Sequence, residues 1–279
     1  AVRIKSAHQA QFIKPKPNVM QAPLSLKMTR CVMDFLCVLF VLRWSDGMAI
    51  QQSTMRELAL FAGAGGGILG GKLLGWRTVC AVEWDAYAAS VLVARQNDKT
   101  LEPFPVWDNV QTFDGRPWRG RVDVISGGFP CQAFSTAARG RNIAEKNMWH
   151  EMRRIIADVQ PCFVFAENVS KAAINTAADD LEQMGYTVRC IELSASDLGA
   201  DHVRSRFWLC AHANNQSQLC GSVNAKMAVV PEFCTSVWSA APDQSRVADG
   251  MACKLDRLKA IGNGQVPAVA AAAWRILND

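Results

Sequence analysis

The chain has ten cysteines, yet it lacks any C-x-x-C pair and any cysteine spacing typical of a zinc site. It also lacks a long apolar run. The longest early one, FLCVLFVLRW from Phe35, covers ten residues and is too short to cross a bilayer. That run has no small-residue cleavage site of the kind that ends a signal peptide. These absences argue against a metal site and a membrane span, and we expect neither a metal nor a membrane as a partner.

The cysteines are scattered through the sequence, and several stand inside apolar runs. This placement predicts reduced thiols that act as small core residues, which is typical of a cytoplasmic protein. The cysteines concerned are Cys80, Cys162, Cys190 and Cys210. A chain of 279 residues is long enough to bury one substantial core, so a disulfide framework is not expected.

The net charge of +5 belongs to one end of the chain. Residues 1–54 hold seven basic and two acidic residues, whereas residues 55–279 hold 23 of each sign. The basic excess therefore says nothing about a nucleic-acid surface in the rest of the protein. Residues 1–54 show no sustained helix or strand period, and we interpret them as an N-terminal extension that is poorly ordered.

From Met55 onward, short apolar strands alternate with helical patterns. The alternation predicts an α/β fold: a doubly wound, mostly parallel, Rossmann-like sheet in one domain over residues 55–212. A polar, loop-rich insert follows at 213–249, and residues 250–279 return to the domain with a loop around Gly262 and an Ala-rich helix from Pro267. The predicted strands are 57–61, 78–85, 122–128, 162–168, 186–193 and 206–212, and the predicted helices are 68–75, 86–96, 148–159 and 174–185.

In such sheets, ligands bind beyond the carboxyl ends of the strands. In this chain a glycine cluster follows the first predicted strand at that edge. Gly65, Gly67 and Gly70 satisfy G-x-G-x-x-G, and Glu83 ends the second strand, where an acidic side chain commonly binds ribose hydroxyls. Together they predict an adenosine-type cofactor. The alternative is a tight turn beside a solvated glutamate.

Cys131 follows Pro130 and two glycines at the exit of the third predicted strand. A thiol presented there is suited to nucleophilic attack, although a cysteine in a cysteine-rich chain is often only a small buried residue. Glu167 ends the following predicted strand, and a carboxyl in a partly enclosed site can donate a proton. The pair predicts attack by sulfur on an electron-poor substrate that is protonated at the same time.

Six segments from Met55 to the end resemble, in order, the motifs of the cytosine-C5 DNA methyltransferases. FAGAGGG resembles the cofactor loop of that family, and VEWD its acidic strand end. GGFPCQAFS resembles the loop of the catalytic cysteine, and AENV the motif of the catalytic glutamate. HVRSRFW resembles the segment with two arginines, and AIGNGQVP the closing Gly-Asn loop.

The resemblance implies S-adenosylmethionine as the cofactor, double-stranded DNA as the partner and a flipped-out cytosine as the substrate. In this reading Cys131 adds to C6 of the base, Glu167 holds and protonates N3, and C5 then takes the methyl group. Arg204 and Arg206 would orient the base and the catalytic loop. The implied substrate contacts are Gln132, Ser135, Asn168 and Val169. The implied cofactor contacts are Phe61, Ala62, Gly63, Gly65, Gly66, Glu83, Trp84, Asp108, Pro130, Asn263 and Gly264.

The chain departs from the family pattern at two places. His202 stands where the family usually has glutamine, and it keeps a hydrogen-bonding side chain. The insert at 213–249 stands where the family carries a larger target-recognition domain, and it offers few side chains for reading base edges. The hypothesis of an active methyltransferase therefore has an alternative: a catalytically impaired relic of such an enzyme that still binds DNA or the cofactor but has no turnover.

Two other enzyme classes share parts of this pattern. A nicotinamide-dependent oxidoreductase could use the glycine loop and Glu83, but it gives no reason for a Pro-Cys loop paired with Glu167. A tRNA cytosine-C5 methyltransferase shares the Pro-Cys and Glu-Asn-Val motifs and stays open. The architecture suits a monomeric enzyme in the cytoplasm of a bacterial or phage-infected cell, in restriction–modification or phage self-protection.

Overall fold

The computed structural model describes residues 54–130, 148–214 and 251–278, without the side chains of 251–255 and 258. The predicted N-terminal extension and nearly all of the insert lie outside the described residues. So do Cys131, Gln132 and Ser135.

The described part of the chain forms a seven-stranded sheet in the order β3-β2-β1-β4-β5-β7-β6. The first five strands in this order pair in parallel, and β7 runs antiparallel to both β5 and β6. The predicted mostly parallel, Rossmann-like α/β sheet is thus confirmed. The strands are β1 Arg56–Leu60, β2 Arg77–Val82, β3 Val106–Trp107, β4 Val124–Gly128, β5 Phe163–Asn168, β6 Tyr186–Ser194 and β7 Ser205–Ala213.

Helices cover both faces of the sheet, as a parallel sheet requires. They are α1 Gly66–Leu73, α2 Ala86–Asn97, α3 Trp149–Val159, α4 Lys171–Gln183, α5 Met251–Asn263 and α6 Pro267–Asn278. The prediction of a loop around Gly262 is wrong, because this residue lies in the last turn of α5. Arg204 donates hydrogen bonds to the carbonyl oxygens of Gly262 and Gly264, which satisfies groups that a helix end leaves without partners.

The core lies in two layers, one on each side of the sheet. On one side α3 and α4 pack on β1, β4 and β5 through residues such as Met152 and Ile174. On the other side the Ala-rich α6 packs on Phe165 and Trp208 and against α1. A Cβ at Gly70 would stand 2.8 Å from the Cβ of Ala270, so this glycine lets α1 and α6 approach closely. The Ala-rich helix predicted from Pro267 is confirmed, and it packs against the sheet.

The prediction of reduced core cysteines holds for two of the four. Cys80 and Cys210 are buried free thiols, and burial raises the pKa of each to about 12. Cys190 is free but exposed, because β6 is an edge strand. For Cys162 the prediction of a reduced thiol is wrong, since it is buried but disulfide-bonded.

No described helix combines the length and apolar character that crossing a membrane demands. Within the same residues, no group of three or more His, Cys, Asp or Glu side chains is arranged to hold a metal ion.

Candidate functional site

The loop after β1 turns sharply at the carboxyl edge of the sheet. The φ angles of Phe61, Gly63 and Gly65 are all positive, at 51°, 55° and 91°, a backbone conformation that is costly for residues other than glycine. Gly65 caps α1, and the space where a Cβ of Gly63 would stand is open. The loop therefore leaves its backbone accessible to a ligand at the start of a helix.

Glu83 holds this loop against the end of β2. Its carboxylate accepts hydrogen bonds from the backbone N–H groups of Gly63 and Asp85, both at 2.6 Å. Burial raises the pKa of Glu83, and the two N–H donors oppose that rise. The carboxylate lies where the sequence predicts it, and it shapes the loop as well as facing the cleft.

Beyond Glu83, the cleft is bordered by Trp84 and by a contact between α2 and α5. The Trp84 side chain is 76% exposed, so it is not the core residue that a lone aromatic usually is. Asp85 caps the N-terminus of α2, and its carboxylate forms an ion pair with Lys259 of α5, with 2.6 Å between Oδ2 and Nζ. The hydrogen bond from Lys259 is the main cause that lowers the pKa of Asp85.

Glu167 lies at the other end of the cleft, on β5 and opposite Gly128 of β4. Nε of Arg206 is 3.0 Å from its Oε1, and Nε2 of Gln265 donates to its Oε2 at 3.4 Å. Burial raises the pKa of Glu167, whereas Arg206, Gln265 and the more distant Arg204 act against the rise. A carboxyl whose pKa is raised is suited to carry a proton to a substrate.

Asn168 supports the path of the chain toward Cys131. Its buried side chain donates to the carbonyl oxygen of Phe129 at 2.8 Å and accepts from the N–H of Ser170 at 2.9 Å. The amide therefore connects the exits of β4 and β5. It orients Pro130, the last described residue before the predicted nucleophile.

Arg204 contacts the α5–α6 loop rather than Glu167. Its guanidinium donates to the carbonyl oxygens of Gly262 and Gly264 at 2.8 and 2.6 Å. Burial and the neighbouring Arg206 lower its pKa. It therefore positions the end of α5, with Asn263, and the first loop residue Gly264, while Arg206 is the arginine that contacts the carboxylate.

The loop between β1 and α1, residues 61–65, is called the glycine loop. A single cavity of about 660 Å³ runs from it to Glu167. Ten of the predicted site residues line it: Phe61, Gly63, Glu83, Trp84, Pro130, Glu167, Asn168, Val169, Arg206 and Asn263. Ala62 and Gly264 line a smaller adjoining cavity of about 20 Å³.

Four predicted residues lie off both cavity linings, and several residues that line the cavities were not predicted, among them Asn109, Lys259 and Gln265. Gly65, Gly66, Asp108 and Arg204 line neither cavity, although Gly65 and Gly66 begin α1 at the loop. Asn109, not Asp108, faces the larger cavity and caps the short turn Val110–Thr112. Lys259 and Gln265 stand beside or within the predicted closing segment, in which only Asn263 and Gly264 were predicted as contacts.

The family model for "C-5 cytosine-specific DNA methylase" matches residues 55–249, which is well over half of the chain. The chain belongs to this family. The matched segment includes both ends of the cleft, but not the lining residues that α5 and the α5–α6 loop contribute.

Curated relatives agree with this membership. The chain is similar to the type II methyltransferase M.PspPI of Psychrobacter sp. (33% identity, 62% of this chain and 42% of the relative). It is also similar to M.Eco47II of Escherichia coli (35%, 58% and 36%) and to M1.HphI of Haemophilus parahaemolyticus (31%, 55% and 44%). The chain spans less than half the length of each of these relatives.

Proposed function

We propose that the protein transfers a methyl group from S-adenosylmethionine to C5 of cytosine in double-stranded DNA. The observation that supports this most strongly is the continuous cleft. It joins a glycine loop with an acidic strand end to a buried carboxyl beside the exit of β4. A methyl donor at one end and a base at the other would meet within one enclosed space.

The glycine-loop end fits an adenosyl cofactor. The cleft volume lies within the range of small-molecule sites, and Gly63 leaves open space at the loop. The exposed Trp84 ring offers a stacking surface, and Glu83 keeps lone pairs for ribose hydroxyls. S-adenosylmethionine, when bound, supplies the electrophilic methyl group.

The Glu167 end fits a cytosine ring that has left the helix. The thiolate of Cys131 forms a bond to C6 while Glu167 delivers a proton to N3. The electron pair of the C5–C6 double bond makes C5 nucleophilic. After C5 takes the methyl group, the C5 proton passes to a solvent base and the C6–S bond breaks, its electron pair leaving on sulfur as the Cys131 thiolate. The N3 proton returns to the Glu167 carboxylate, which restores both the aromatic ring and the enzyme. Arg206 holds Glu167 at 3.0 Å and so sets the direction of its proton.

Methyl transfer from labelled S-adenosylmethionine to unmethylated genomic DNA, followed by bisulfite sequencing, tests the proposal. We expect methylated cytosines with the native protein and none with Cys131→Ser, while both bind the cofactor. Cofactor binding without methylation of DNA contradicts the proposal. In that case, methylation of tRNA would favour a tRNA cytosine-C5 methyltransferase. No methylation of either nucleic acid would favour a DNA- or cofactor-binding protein without turnover. Action as a monomer in the cytoplasm stays a prediction.

A further inference from the structure

Gln265 lies between α5 and α6, wedged among three glycines of the site. A Cβ at Gly66 would collide with its backbone oxygen, and a Cβ at Gly67 with its side-chain oxygen Oε1. A Cβ at Gly128 would stand 3.2 Å from its Nε2 and 2.6 Å from Oε2 of Glu167. The glycine loop and the exit of β4 therefore both leave room for this one side chain.

The same side chain reaches the carboxyl at the base end of the cleft. Nε2 of Gln265 donates a hydrogen bond to Oε2 of Glu167 at 3.4 Å, while Nε of Arg206 forms an ion pair with Oε1. The two oxygens are thus held from different elements, one from β7 and one from the α5–α6 loop. The charged groups that act on Glu167 are Arg206 and Arg204, and Gln265 adds an uncharged donor.

We propose that Gln265 is a positioning residue that orients the carboxyl of Glu167 and couples it to the glycine loop. The proposal rests on the proposed function for the role of Glu167 in the reaction. Its amide oxygen lies against Gly67 in the first turn of α1, directly after the glycine loop, and its amide nitrogen donates to the carboxyl, so a displacement of this turn is transmitted to Glu167 through one planar amide group. Packing alone requires the volume of the side chain but not its donor.

Two variants separate the donor from the volume. Gln265→Met keeps a side chain of similar length and removes the N–H donor. Gln265→Glu keeps the shape and places a second carboxyl beside Glu167. Gln183→Met, at the exposed end of α4, is the matched control.

Carboxyl ¹³C NMR of glutamate-labelled full-length protein reads Glu167 directly, with its signal assigned by Glu167→Gln. We expect Gln265→Met to raise the pKa of Glu167, because the carboxylate loses a donor, and Gln265→Glu to raise it further through like charge. Gln183→Met leaves it unchanged. Equal pKa values in the native protein and in folded Gln265→Met overturn the proposal, whether or not the protein methylates DNA.

Kinetics supply a second readout that a packing role does not move. With Gln265→Met we expect the single-turnover rate at the optimum to fall about 10-fold, with cofactor affinity within about 3-fold of native. The alkaline limb of the pH–rate profile moves to higher pH. A loss confined to cofactor affinity contradicts the proposal. Absence of turnover in the native protein contradicts the proposed function alone, because the NMR titration still decides the role of Gln265.

Discussion

Glu57 should make the stability of this protein fall as the pH rises from about 4.5 to about 7. It lies in β1, between β2 and β4, and is fully buried, and it accepts 2.6 Å hydrogen bonds from the hydroxyls of Thr78 on β2 and Ser126 on β4. A Cβ at Gly71 would lie 3.3 Å from the carboxyl, so α1 covers it closely. Burial raises the pKa of Glu57 from 4.5 to about 7, and the two hydroxyl donors oppose the rise.

The magnitude follows from this difference in pKa. Because the folded state binds the proton more tightly, the unfolded state ionises first as the pH rises. The folded state is then penalised. The penalty is absent below pH 4.5, grows up to about pH 7 and is complete above it. It amounts to about 3 kcal/mol in full, of which about 2.5 kcal/mol develops between pH 5 and pH 8.

Glu57→Gln removes the ionisation and keeps the shape, since an amide can accept from one hydroxyl and donate to the other. Chemical denaturation of native and variant protein at a series of pH values measures the effect. The free energy of unfolding of the variant minus that of the native protein should rise by about 2.5 kcal/mol from pH 5 to pH 8. The exposed Glu102→Gln is the matched control. A difference for Glu57→Gln that does not change with pH refutes the reasoning.

Three further changes test the supports of the cleft. Asn168→Leu leaves the carbonyl of Phe129 without its buried donor; we expect about 1–3 kcal/mol less stability by chemical denaturation, and native stability contradicts this. Arg204→Ala frees the α5–α6 loop; cofactor affinity by calorimetry should fall about 10-fold, and unchanged affinity would show that the loop needs no such support. Gly70→Val forces α1 from Ala270; a loss of about 1–3 kcal/mol in unfolding free energy is expected, and none would mean that the helices separate freely.

The sequence predicts the order and type of most elements, because the strands are buried apolar runs and the helices have clear periods. Strand β3 is missed since Val106–Trp107 is two residues long, and its pairing with β2 depends on a distant partner. Helix α5 is not among the predicted helices, and a loop is predicted where it ends. Gly262 normally signals a loop, whereas here its carbonyl oxygen accepts from the Arg204 side chain, 58 residues away, which no local pattern shows.

The candidate site is predictable where chemistry follows a strand end. Glu83 and Glu167 face one cavity because parallel strands end at the same edge of the sheet. The contacts of Glu57 and Gln265 are not predictable in this way. Glu57 begins the apolar strand ELALF, and its buried carboxyl accepts hydrogen bonds from the hydroxyls of Thr78 and Ser126. These partners are 21 and 69 residues away in the chain, so no local pattern shows them.

The central claim is that sulfur of Cys131 attacks a cytosine held by Glu167, and trapping the adduct tests it most directly. In DNA made with 5-fluorocytosine, C5 carries fluorine in place of the proton that must leave, so the ring cannot be restored and the protein stays bound. With S-adenosylmethionine present, we expect a covalent protein–DNA complex on a denaturing gel, a crosslinked peptide containing Cys131, and far less complex with Glu167→Gln. No complex from cofactor-bound protein, or a crosslink at another cysteine, would contradict the account.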